Sequence, residues 1–237
     1  MKRSLWGIPA ILLLASAAQV ALAGGDGQQA QRVYTYAVHI DADGRVGQVT
    51  PYGSGNDVVG HELADQVKSW LFSTDNRAQH VDGRDFRTFL RLVVAPDADG
   101  YELVSATTGP APRQLVLPDY PAREQREGRQ GTVVMKLDIG ADGSVHGAEV
   151  DSVHGNVSRN MAAAARRVAS QWRFAPEMVD AQPVGSTVLW PVCFLGATSI
   201  ATECAWSGPE AQRYSSKMVL ALDPVARRVT PLAFEER

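Results

Sequence analysis

The chain is 237 residues long, with 23 Lys and Arg against 26 Asp and Glu, a formal charge of −3 and two cysteines. Nucleic acid and anionic membranes reward clustered cations. This mildly acidic balance therefore argues against nucleic acid as a partner, allows a membrane role only indirectly, and leaves protein as the partner class.

The amino terminus opens with Lys2 and Arg3, runs through an apolar stretch from Leu5 to Ala18 broken by Pro9, and reaches Ala21-Leu22-Ala23. A basic start, an apolar run too short to span a bilayer comfortably and small residues two apart predict a cleaved signal peptide over residues 1–23, a retained anchor being the alternative. Cleavage after Ala23 leaves 214 residues with 21 basic and 26 acidic side chains, or −5. An exported chain meets an oxidising compartment, so Cys193 and Cys204 are expected to close a structural disulfide. Their spacing is not the Cys-x-x-Cys of a redox-active pair.

In a first unit, residues 24–111, a Gly/Gln-rich leader from Gly24 to Gln31 precedes a strand in which Tyr34, Tyr36, Val38 and Ile40 alternate onto one face. Asp41-Ala42-Asp43-Gly44 supplies a hairpin turn, Val46 opens the return strand, and Pro51 to Asn56 forms a loop. Asn56 or Asp57 caps a helix whose Val59, Leu63, Val67 and Trp70 form one stripe. Trp70-Leu71-Phe72 follows, Phe86 to Val94 is the closing strand, and Asp99-Gly100 turns into a return strand through Tyr101, Leu103 and Ser105. Thr107 to Pro112 reads as the linker.

A second unit, residues 112–200, repeats the order. Val133, Met135, Leu137 and Ile139 alternate, Asp142-Gly143 turns, and Ser158 caps a helix with Met161, Ala165, Ala169 and Trp172 displaced by a constant 102 positions from the first stripe. Trp172-Arg173-Phe174 and a strand from Val184 to Phe194 complete it. Internal repetition decides the fold class: α+β, two tandem β-β-α-β modules, each a small antiparallel sheet packed against one helix. Residues 201–237 are expected as a disulfide-tethered C-terminal hairpin, Lys217 to Leu222 and Arg228 to Phe234 flanking Asp223-Pro224. Trp70, Phe72, Trp172 and Phe174 are assigned to the cores rather than to a ligand-stacking site.

Chemistry-bearing patterns are missing from the sequence. The Asp41/Asp43 and Asp97/Asp99 pairs lack the further ligands of a calcium loop, and His39, His61, His80, His146 and His154 show no metal spacing. Gly53-Ser54-Gly55 is a turn, not a nucleophile elbow. No metal, cofactor or enzyme activity is expected.

Pro118-Asp119-Tyr120-Pro121, Glu127-Gly128, Gly131-Thr132-Val133-Val134, Asp142-Gly143-Ser144-Val145, the Ala-rich helix from Met161 to Val168, Trp172-Arg173-Phe174-Ala175-Pro176 and Pro183-Val184 stand in one order over about residues 112–195. This set resembles the carboxy-terminal domain of the TonB energy-transducer family. The first unit resembles a diverged copy: it keeps Asp43-Gly44, Trp70-Leu71-Phe72 and Gly83, lacks the Tyr-Pro lead-in, and has Thr74 where the Pro would stand.

The resemblance implies a periplasmic protein associated with TonB-dependent transmembrane transport, which engages an outer-membrane transporter or other envelope protein by adding a strand to a sheet edge. On this chain the matching edge is about Gly185 to Val192, represented by Gly185, Thr187, Leu189 and Pro191, with Tyr120, Pro121, Arg123 and Arg126 in the lead-in segment. Strand addition requires an unpaired row of main-chain groups there; the alternative is that the Cys193–Cys204 bridge folds the tail back and Lys217 to Leu222 fills that row in cis. Gly24 to Gln31 reaches only about 25 Å at roughly 3.1 Å per residue, so binding is expected rather than force transmission across the periplasm. The alternative is a non-transducing envelope scaffold, self-associating as a homodimer through the same edges.

Overall fold

The computed structural model describes residues 31–53, 56–74, 85–97, 100–196 and 204–232. The signal peptide and most of the leader, together with Ser54, Gly55, His80, Gly83, Asp99 and Phe234, lie outside the described residues. The first alternation becomes β1 (Arg32–Asp41), which buries Tyr34, Tyr36, Val38 and Ile40 on one side. It turns into β2 (Val46–Pro51), passes through α1 (Val58–Val67) and the two-residue β3 (Phe72–Ser73), and returns as β4 (Asp85–Asp97). β1 lies between β2 and β4, antiparallel to both.

The second alternation becomes β7 (Gly131–Ile139), turning into β8 (Val145–Gly155). Then come α3 (Arg159–Ala169), β9 (Arg173–Ala175) and, after a short excursion, β12 (Ser186–Phe194). Here β7 is central, between β8 and β12.

The two Asp-Gly turns do the same physical work. Gly44 and Gly143 both take φ +78°, and a Cβ on either would fall 1.8 Å from the Phe72 carbonyl oxygen or 2.1 Å from that of Phe174. The reason is a close backbone approach: Phe72 N–H donates to the Gly44 carbonyl and Phe174 N–H to the Gly143 carbonyl, each at 2.8 Å. Only Gly combines that left-handed φ with that contact. Helix starts are set by side chains as well. Asp57 Oδ1 accepts from Gly60 N–H at 2.8 Å, and Ser158 Oγ accepts from Met161 N–H at 3.3 Å.

Two cores result. Leu63, Val67, Trp70 and Phe72 pack with the inward face of β1 and β4, and Met161, Ala165, Ala169, Trp172 and Phe174 pack with that of β7 and β12. Tyr36 Oη reaches the Gly60 carbonyl at 2.6 Å and Trp172 Nε1 the Val116 carbonyl at 2.8 Å, so neither buried ring leaves a polar atom unpaired.

The repeat does not divide the structure as its sequence boundaries suggest. β5 (Gly100–Gly109) pairs with β4 and runs through Thr107 to Gly109, and β6 (Ala111–Gln114) pairs with β9, so the expected linker is strand for most of its length. Thr107 and Thr108 are β-branched and simply continue the strand.

From the second unit, β10 (Glu177–Val179) and β11 (Gln182–Val184) cross over and join the first sheet at Phe86 and Arg87 of β4. The turn between them places Asp180 and Ala181 at positive φ, and Asp180 Oδ1 accepts from Asp85 N–H at 3.0 Å. The first sheet thus runs β11-β10-β4-β1-β2, with β5 beside β10 along the same edge of β4.

The expected C-terminal hairpin is replaced by a strap. After a small hairpin of β13 (Trp206–Ser207) and β14 (Arg213–Tyr214), β15 (Leu220–Ala221) pairs with β12 and β16 (Arg227–Arg228) pairs with β3. An isolated two-stranded hairpin is marginal in water, whereas each of these short strands gains an existing partner. Between them Val225 and Ala226 enter the first core, as does Leu232 after β16. Cys193 and Cys204 are disulfide-bonded.

Trp172→Ala should destabilise the protein by about 3–5 kcal/mol in urea unfolding, as large-to-small changes of a fully packed aromatic do. Gly53, at φ +81° with nothing among the described residues within 4 Å of the place a Cβ would take, should tolerate Ala at a cost of about 1–2 kcal/mol, and Gly143→Ala should cost distinctly more because its methyl meets a carbonyl.

Candidate protein-binding edge

β12 is zipped to β7 along its whole length, Ser186 opposite Ile139 through Phe194 opposite Gly131. Its other edge is the one the sequence singles out. Along that edge Val188 faces Ala221 and Leu189 faces Leu220 of β15. The contact is continued by Leu222 N–H donating to the Thr187 carbonyl at 2.8 Å and by Thr187 N–H donating to Asp223 Oδ1 at 2.7 Å. The bare row expected along Gly185 to Val192 is therefore occupied from Thr187 to Leu189 by the chain's own tail, and a partner reaches these atoms only by displacing β15.

Gly185 lies just before the strand. Leu189 is buried, packed with Val134 and Trp206 on the sheet face away from α3, and Pro191 is buried and has no N–H to offer. Trp206 is held there by stacking on Tyr214, ring centroids 4.8 Å apart, and by Nε1 donating to the Ser215 carbonyl at 3.0 Å.

The lead-in residues divide into two kinds. Pro121 caps α2 (Ala122–Arg126), and Tyr120 sets its ring edge-on against Phe194 at 5.4 Å while its hydroxyl donates to the Arg129 carbonyl. Burial raises the Tyr120 pKa. Both residues are parts of the scaffold at the Phe194 end of β12. Arg123 and Arg126 point to solvent from α2: Arg123 and Arg129 each donate at 2.7 Å to the Glu127 carboxylate, whose pKa is lowered by those bonds, while Arg126 forms no ion pair among the described residues. Trp70, Phe72, Trp172 and Phe174 lie in the cores, as read from the sequence.

Sequence reasoning passed over the residues that join these parts. Glu177, buried at the start of β10, accepts from Thr88 Oγ1 of β4 at 2.5 Å, from Val225 N–H of the tail at 3.3 Å and from Ser186 Oγ of β12 at 3.4 Å. Burial pushes its carboxyl up to about 7, with the nearby Asp223 charge adding in the same direction.

Arg91 of β4 donates from Nε to the Lys217 carbonyl at 3.0 Å and lies 5.7 Å over the Trp190 ring; burial lowers its pKa to about 10, which leaves it charged at neutral pH. Glu124 accepts from Ser158 Oγ at 2.9 Å and Asn160 Nδ2 at 2.8 Å, placing a carboxylate at the start of α3. A glutamate beside a proline in a three-residue strand looks like surface in the sequence, and nothing local marks Glu177 as buried.

Residues 116–195 match the family model described as Gram-negative bacterial TonB protein C-terminal. The match takes in β7, β8, α3 and β12, about a third of the chain, and ends one residue past β12. It implies a TonB-like envelope protein with a transport-related role in protein interaction. No curated protein matches the chain. Among the described residues, no helix is long and apolar enough to cross a membrane.

The Glu177 carboxyl carries a pH signature. Its folded-state pKa lies above the ordinary carboxyl value, so the stability it contributes is fully present below about pH 4.5 and is lost as pH rises through about 7. Glu177→Gln should remove that slope, on the order of 3 kcal/mol between the two limits, when urea unfolding of both proteins is compared from pH 5 to 8.

Proposed function

We propose that this protein is a periplasmic protein-binding module of the TonB type, which receives an extended segment of an outer-membrane transporter or other envelope protein along β12. The tail strand β15 holds that place until the partner arrives. The observation that carries this reading is the ladder of Val188 with Ala221 and Leu189 with Leu220: this edge accepts an added antiparallel strand, and the strand there is only two residues long.

Net contributions of about 0.5–1.5 kcal/mol per hydrogen bond make such a short ladder displaceable by a longer segment pairing along Ser186 to Phe194. The family match over residues 116–195 supports the same mode of binding. The first unit, read as a diverged copy, serves as scaffold: its closing strand β4 is covered by β5 and β10. The work is recognition, not catalysis, and the membrane is engaged only through the partner.

A peptide copying a transporter's energy-coupling segment, titrated to millimolar concentration, should shift the backbone amide resonances of Gly185 to Val192 and release those of Leu220 and Ala221. Asp223→Ala removes the acceptor of Thr187 N–H, loosens the tail, and should raise the peptide's affinity about fivefold. Unmoved resonances in both proteins would reject the proposal, and a stable dimer by light scattering without any peptide would favour a self-associating scaffold.

A further inference from the structure

With β12 covered, the second sheet keeps another edge. β8 pairs with β7 on one side, and among the described residues no strand lies along its other side. Asp151 and His146 bulge out of the ladder, since Ser152 and Val150 face consecutive residues of β7, as do Gly147 and Val145. Between the bulges Gly147 to Val150 is a regular stretch. Bulges end pairing and re-aim side chains, so this edge offers a pairing site of about four residues.

Ala148 and Val150 stand opposite Leu137 and Met135 and so share the sheet face that carries α3. They floor an open groove of about 630 Å³ whose other wall is α3, through Ala162, Arg159, Arg166 and Arg167. The small side chains of α3 keep the groove open. Val150 is 38% exposed and Val153, further along the same face, 50%. The three guanidinium groups are exposed, and none forms an ion pair among the described residues. An apolar floor, an open main-chain ladder and an unneutralised cationic wall thus meet at one place in a protein that is acidic overall.

We propose that Gly147 to Val150 and the adjoining α3 groove form a second docking site, taking an extended segment of a protein partner that carries carboxylates at alternate positions and adds as a strand to β8. Strands project alternate side chains to one face, so the carboxylates at every second position of the guest all point into the groove, where they meet Arg166 and Arg167 above the floor of Ala148 and Val150. Charge decides against a second copy of this chain as the occupant. Glu149 faces Lys136, on the opposite side of the pleat from Ala148, so a β8 strand from another copy would bring no carboxylate to these arginines. The site is separate from β12 and does not rest on the reading of that edge.

The test uses the ¹⁵N-labelled protein and two capped hexapeptides, one alternating Glu with Val and one alternating Lys with Val. The Glu peptide should shift the amides of Gly147 to Val150 and Ala162 to Arg167 at up to millimolar concentration, and the Lys peptide should not. The surface double variant Arg166→Glu, Arg167→Glu should keep the melting temperature and lose roughly tenfold or more in affinity.

Equal binding of both peptides, no shifts, or shifts confined to Ser186 to Phe194 would overturn the proposal. So would shifts at Gly147 to Val150 that grow with protein concentration alone, which would mean a second copy sits there. Because the readout is residue-specific, failure here is distinct from failure at β12.

Discussion

One buried carboxyl gathers the whole molecule. Glu177 accepts hydrogen bonds from β4, β12 and the tail, and it sits on a short strand that has left its own unit to pair with the other. A carboxyl taken out of water is costly unless its lone pairs are filled, and here Thr88, Ser186 and Val225 fill them from three parts of the chain. Each of the three can be correctly placed only when the other two are. Two units that would otherwise be small, separate cores are thereby coupled, and folding of the tail becomes conditional on folding of both sheets.

The same coupling governs which main-chain edges stay open. In each unit the strand after the helix lies beside the first strand and turns its other side outward. On β4 that side is shared by β5 and β10, and on β12 it is held by β15. Exposed ladders recruit other chains indiscriminately, so covering both is a protection against aggregation. The coverings are unequal. β5 matches β4 over nine residue pairs, whereas β15 matches β12 over two. The shorter cover lies in the unit that matches the family model, which is where the proposed function needs a cover that a guest can displace.

What was legible in the sequence is what depends on near neighbours. Period-2 burial of β1, the inward set Val133, Met135, Leu137 and Ile139 of β7, the Asp-Gly turns, the Asp57 and Ser158 caps and the helical stripes ending at Trp70 and Trp172 are all set within a few residues, and all appear where expected. The disulfide was readable from the exported character of the chain and the pairing of two cysteines. The crossing of β10 and β11, the pairing of β6 with β9 and the pairing of the tail with β3 were not readable, whereas a return of Lys217 to Leu222 onto the β12 edge was among the alternatives that the sequence offers. Strands of two to four residues carry no periodicity, and their partners lie far away in sequence. The strand expected over about Gly185 to Val192 forms as β12, and its outer edge is taken by Leu220 to Asp223, a contact fixed by tertiary packing.

The tether sets the terms on which the cover can be lifted. Cys193 sits on β12 itself and is bonded to Cys204, so the tail leaves from the strand it will later cover. Trp206 then anchors on Leu189 and Val134, which shortens the free span before Leu220. A segment held so near its site rebinds as an intramolecular partner, with an effective concentration in the millimolar range for a short span. A guest of the kind proposed for β12 would compete against that concentration rather than against water, and its apparent affinity would be reduced by the fraction of time the edge is closed. Such an arrangement would favour partners long enough to use Trp190 to Phe194, beyond the reach of β15, over short or fortuitous strands. On the function proposed for β12, selectivity at this edge would come from the length of the ladder a guest can form, which is a main-chain property and needs no special side chain.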